Sequence, residues 1–257
     1  MGEISTPEAP VHPVAGLSVP PPPRTLIGIA AWVGFGLFAA ANLYGLLAEQ
    51  TGLCRIAQPL AATFLLLAFV ASIRTWSTTT VLATIGVALA WVGDTLPPHL
   101  PLDSRLGSAL AFGLAMIAYA AALRPLWLQV RDSLRMLMAV PYAGVVIGLY
   151  IACFDGAGDL AVPVLLYAVA LATMAFLAAG VNSLTWVGGA LFLLSSSVLG
   201  MSWFLSGAWV PHHEVWIMAS YFLGHAFLLA GILRAAPRAP EASALPASGG
   251  ATLVIVD

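Results

Sequence analysis

Long apolar runs, broken by short polar or proline-bearing stretches, dominate the sequence. A helix of about 20 apolar residues crosses about 30 Å of hydrocarbon. A bilayer gives backbone amides no water to bond, so such runs fold as helices. The alternating pattern of a membrane barrel is absent. The pattern predicts helices over Thr25–Leu47, Leu53–Ser72, Thr78–Leu96, Leu106–Leu123, Leu134–Cys153, Leu160–Gly180, Leu184–Leu205 and Val215–Leu233. Pro59 and Pro163 fall in early turns, where helical amides lack partners anyway. Pro97-Pro98 and Arg124-Pro125 close the third and fourth helices. The expected fold is all-α: a polytopic membrane protein with eight transmembrane helices over residues 25–234. Residues 1–24 and 235–257 are Pro-, Ala-, Gly- and Ser-rich and read as disordered cytoplasmic tails. The first of them lacks the charged start and short apolar core of a signal peptide.

Composition fixes the class. The chain is 61% hydrophobic and only 8% charged, too few charges for a soluble domain of this length. Every basic residue is arginine. With eight helices both termini share one side, which holds Arg24, Arg74, Arg124, Arg131, Arg135, Arg234 and Arg238. The opposite loops hold Arg55 and Arg105. The positive-inside rule then puts both termini in the cytoplasm, and a bacterial inner membrane is the expected location.

Within Ile85–Leu96 one acid, Asp94, follows Gly93 in an otherwise apolar run. A carboxylate in a membrane helix costs roughly 2.5–3.5 kcal/mol on insertion scales, so it needs a partner or a task. The competing readings are a polar clamp between helices and a proton donor in a pocket. Helix rise puts Asp94 near the outer end of its helix, with Asn42 and Gln58 in the outer half as well. Ser196 and His225 lie nearer the middle. These positions predict an outward-facing polar pocket with His99, His212 and His213 at its mouth. His225 has Tyr221 one turn before it on the same helix face. A neutral, hydrogen-bonded histidine and a proton-transfer group are both open there. Ser195, Ser196 and Ser197 suit close helix packing, and no GxSxG elbow precedes them. Cys54 and Cys153 read as free apolar cysteines. His212-His213-Glu214 lacks metal-ligand spacing, so no metal and no other cofactor are expected.

The order and spacing of several short motifs resemble the YhhN-type lysoplasmalogenase-like membrane proteins. They are Gln58-Pro59-Leu60, Gly93-Asp94, Phe112-Gly113-Leu114 and Pro163-Val164 with Tyr167 and Met174. Gly189-Ala190-Leu191-Phe192 with Ser195, and Ser220-Tyr221-Phe222 with His225, complete the set through all eight helices. The resemblance implies hydrolysis of the vinyl-ether bond of a lysophospholipid, giving a fatty aldehyde and a glycerophospho-headgroup. It also implies a membrane-lipid partner; no nucleic acid is expected. Family members usually carry Lys at position 58, His at 119, a second Asp at 196 and Gln at 225. This chain has Gln58, Tyr119, Ser196 and His225, so impaired activity is one expectation.

Vinyl-ether hydrolysis needs an acid to protonate the alkene carbon and a group to stabilise the resulting cation. Asp94 and His225 are the expected catalytic pair, His225 standing in for the missing acid. Asn42, Gln58, Tyr119, Tyr167, Ser196 and Tyr221 are the expected substrate-binding residues. A non-catalytic lipid binder and a proton-coupled small-solute transporter are the alternatives. A pocket open sideways but closed toward the cytoplasm favours the first two classes; a path open to both sides favours a transporter.

Weak internal matches also predict two parallel four-helix repeats. Ala57-Gln58-Pro59-Leu60 recurs as Ala161-Val162-Pro163-Val164, and Gly86-x-Ala88-Leu89 as Gly188-x-Ala190-Leu191. Asp94 then pairs with Ser196 across one central pocket.

Overall fold

The computed structural model describes residues 23–96, 103–130, 132–207 and 210–236. Most of both predicted tails, His99 and Arg131 lie outside the described residues. Among the described residues the chain is helical, with no strand. The elements are α1 (Pro23–Leu47), α2 (Thr51–Ser72), α3 (Thr78–Thr95), α4 (Ser104–Val130), α5 (Ser133–Ala139), α6 (Pro141–Ala157), α7 (Ala161–Ala179), α8 (Ser183–Phe204) and α9 (His213–Ala235). A 3-10 turn, Gly158–Leu160, joins α6 to α7.

Six segments are long and apolar enough to cross a membrane: Leu26–Leu47, Thr51–Ser72, Ser104–Val130, Ser133–Ala179, Ser183–Phe204 and His213–Ala235. Large apolar side chains such as Leu37, Ile117, Ile151 and Leu166 stand exposed on their outer faces. An aqueous surface would not carry such a belt, whereas hydrocarbon suits it.

Two helix boundaries differ from expectation. The fourth helix does not stop at Pro125; α4 continues through it to Val130. A proline inside a helix costs a hydrogen bond and crowds the preceding turn. Here Leu123 and Leu126 are both buried, so core packing holds the helix on either side of the break. The fifth helix is not continuous either. It divides at Val140 into short α5 and longer α6, with Pro141 in the first turn of α6. Asp132 caps α5 by accepting from the Arg135 backbone N–H at 3.0 Å, and its other oxygen pairs with the Arg135 guanidinium at 3.0 Å.

The helices pack closely through small residues, as membrane bundles do. A Cβ on Gly188 of α8 would come within 2.6 Å of the Leu228 backbone nitrogen in α9. Across the α3–α4 pair, Gly93 faces Phe112 and Gly86 faces Tyr119, which fixes their antiparallel register. Both α3 and α8 begin with a capping box, Ser77 with Thr80 and Asn182 with Thr185. Each box satisfies amide groups that a helix start leaves unpaired.

Candidate functional site

One end of the bundle gathers the start of α2, the end of α3 and the start of α4. The end of α6, the first half of α7, the end of α8 and the start of α9 join them around a cavity of about 420 Å³. Its walls are mainly apolar and aromatic, including Phe112, Leu149, Val164, Leu171, Leu199 and Phe204. A few polar groups converge inside, the usual arrangement of a small-molecule site.

Asp94 is the carboxyl of this cavity. Gln58 Nε2 donates to its Oδ1 at 3.0 Å, and the Tyr221 hydroxyl donates to its Oδ2 at 2.6 Å. Helices α2, α3 and α9 therefore meet at one acid. Each carboxyl oxygen has a second lone-pair direction, so these bonds do not exhaust Asp94. The small Gly93 lets the Phe112 ring close in beside it, since a Cβ there would lie 2.9 Å from that ring. Ser108 Oγ donates to the Gly93 carbonyl at 3.4 Å and ties α4 to the same level.

Across the cavity, Tyr167 of α7 and Ser196 of α8 share a hydrogen bond of 2.6 Å. Ser195, also in the lining, donates to the Ile217 carbonyl at 2.9 Å. Asp94 and Ser196 thus line one cavity, although they come from different halves of the chain.

Directly behind Asp94 lies a packed layer. Stepping from Gly93 to Gly86 along α3 leads from Phe112 to Tyr119 on α4. Tyr119, Phe192, His225 and Leu228 are all buried there. The His225 ring stands edge-on to Phe192 and Tyr221, each at 4.5 Å between centroids, and to Tyr119 at 6.0 Å. Neither His225 ring nitrogen, nor the Tyr119 hydroxyl, has a hydrogen-bond partner among the described residues.

Of the expected site residues, Asp94, Gln58, Tyr167, Ser196 and Tyr221 line the cavity. His225 and Tyr119 lie behind it, and His225 meets it through the Tyr221 and Phe192 rings. Asn42 is elsewhere: buried in α1, its Nδ2 donates to the Cys54 carbonyl at 3.5 Å. His212 and His213 do not line the cavity. Cys54 and Cys153 are free thiols. Sequence reasoning missed Arg105, Ser108 and Trp203, which line the cavity toward its mouth. The signal the sequence offers is an arginine in the first turn of the helix that follows Asp94.

The sequence profile of the YhhN family matches residues 54–232. The chain belongs to the YhhN family. The match begins in α2 and ends in α9, so α1 lies outside it, although the motif resemblance was expected to run through every helix. Asp94, Gln58, Tyr167, Ser196 and Tyr221 all fall within the YhhN match. Neither a curated protein nor a solved structure gave a significant match to the chain.

Proposed function

We propose that this YhhN protein is an integral membrane hydrolase that cleaves the vinyl-ether bond of a lysophospholipid. The observation that carries the reading is Asp94, held between Gln58 and Tyr221 at the polar end of an otherwise apolar cavity. Family membership supports the same class of chemistry.

In this mechanism Asp94 enters with its proton and delivers it to the alkene carbon remote from the ether oxygen. The carbon bonded to that oxygen becomes an oxocarbenium centre. The Asp94 carboxylate left behind faces this cation and stabilises it. Water adds to the cationic carbon and returns a proton to Asp94. The hemiacetal collapses to a fatty aldehyde and the glycerophospho-alcohol, consuming one water. Tyr221 and Gln58 orient Asp94, and the Tyr167–Ser196 pair offers hydroxyls to the incoming water from the opposite wall. His225 does not line the cavity, so the Asp94 carboxyl serves as both acid and base.

The packed layer behind Asp94 favours a lipid site over a transport path, because a transporter needs a route toward the other end. The eight-span topology follows if α3 crosses the membrane and Ser133–Ala179 crosses twice. Both termini then lie in the cytoplasm, with the cavity in the outer half of a bacterial inner membrane. The two capping boxes support a repeat of four helices, although they align α3 with α8 about one helical turn away from the Asp94–Ser196 pairing.

The test is purified protein in liposomes with a lysoplasmalogen, assayed for aldehyde release. Aldehyde from the native protein and none from Asp94→Asn supports the reading; no aldehyde from either overturns it. Labelling of a cysteine at Asp103 from outside intact cells tests the sidedness.

A further inference from the structure

We propose that Arg105 is the anchor for a phosphate, and that the cavity selects single-chain amphiphiles by that phosphate alone. The inference rests on the lipid site described above and names the part of the ligand that the site reads.

Among the described residues lining the cavity, Arg105 is the cation and Asp94 the carboxyl. Arg105 stands in the first turn of α4 and is exposed at the mouth. Among the described residues it forms no ion pair. The neighbouring Asp103 spends Oδ1 on the Arg105 backbone N–H at 2.7 Å, which caps the helix turn. The Arg105 guanidinium instead lies over the Trp203 ring, 5.7 Å from its centroid, reaching from α4 to the end of α8. A ring face steadies a guanidinium while leaving N–H groups at its edge free to donate. Ser104, Ser108 and Tyr150 line the same cavity and add hydroxyls.

Register gives the spacing. Ser108 is level with Gly93, beside Asp94. Arg105 lies one turn nearer the mouth, about 4.5 Å along the helix axis. That offset suits a glycerol unit whose ether end faces Asp94 and whose phosphate faces Arg105, with the chain along the apolar wall. A guanidinium bonds phosphate oxygens through paired donors. Among the described residues lining the cavity no carboxylate besides Asp94 is offered to the ammonium of a headgroup, and Trp203 already carries the guanidinium. The site therefore reads the phosphate and ignores what is attached beyond it.

The test measures binding of ligands that lack the vinyl group, so it is independent of turnover. A 1-O-alkyl lysophospholipid with a choline headgroup, its ethanolamine counterpart, and 1-O-alkylglycerol are titrated into native protein in nanodiscs. The native protein is expected to bind both phospholipids equally within about threefold, and at least about tenfold tighter than alkylglycerol, as loss of a charge-assisted contact would give. Arg105→Gln removes the preference and leaves alkylglycerol binding unchanged; Arg105→Lys, which keeps the charge, retains part of it. Soluble glycerophosphocholine and inorganic phosphate are expected not to compete, because they lack the chain. A preference that survives Arg105→Gln, equal binding of alkylglycerol by the native protein, no binding of any of these ligands, or competition by free phosphate overturns the inference. The hydrolase reading fails separately, if the binding pattern holds while no aldehyde forms.

Discussion

Asp94 of α3 and Ser196 of α8 line one cavity, yet the two walls they stand on are equipped differently. On one wall Asp94 draws a donor from α2 and a donor from α9. On the other, Ser196 draws only the Tyr167 hydroxyl from α7. The difference follows from the cost of the group. A carboxyl buried away from water must be satisfied from several directions, so three helices converge on Asp94. A serine can satisfy itself locally and needs no such convergence. The Asp94 wall is therefore the organised wall, and the proposed chemistry is placed there.

Removing the acid breaks the comparison most severely. Asp94→Asn keeps the shape and is expected to insert normally, while aldehyde release falls by about 100-fold or more, the usual scale for a lost general acid. Tyr221→Phe keeps the ring against Phe112, Phe192 and His225 but withdraws one donor from Asp94. A drop of about tenfold is expected, the worth of one hydrogen bond to a charged group. Ser196→Asp sharpens the comparison by giving the second wall its own acid. Turnover is expected to rise about threefold, because cation stabilisation is then separated from proton donation; Ser196→Ala should change it little. The smallest contrast is in stability. Gly93→Ala pushes a Cβ to 2.9 Å from the Phe112 ring, whereas at Gly200 the nearest atom, on Leu149, is 3.9 Å away. Thermal unfolding in detergent should show a loss of about 1–3 kcal/mol for Gly93→Ala and almost none for Gly200→Ala.

Much of this arrangement was legible in the sequence. Apolar run length located the helices, because nothing but a helix satisfies the backbone in hydrocarbon. The cost of an isolated acid marked Asp94, and helix rise put Gln58 at its level. The same estimate put Asn42 there, but level along an axis says nothing about rotation. Asn42 faces α2 at Cys54 rather than the cavity. The sequence marks Tyr221 as a substrate-binding neighbour of His225, not as the partner of Asp94. Its bond to Asp94 spans 127 positions, and no local pattern encodes such a pairing. Proline rules misjudged α4, because they are local and the burial of Leu126 is not. They also left the division between α5 and α6 unseen, although Pro141 marks it.

The central claim is that Asp94 places a proton on the alkene carbon, and solvent labelling tests it directly. The native protein would be given a lysoplasmalogen in deuterated water, and the aldehyde trapped by reduction as it forms. The account predicts a single deuterium on the carbon next to the former aldehyde carbon, with Asp94→Asn releasing almost no product. Release of unlabelled aldehyde, or labelled aldehyde formed as fast by Asp94→Asn, would contradict it.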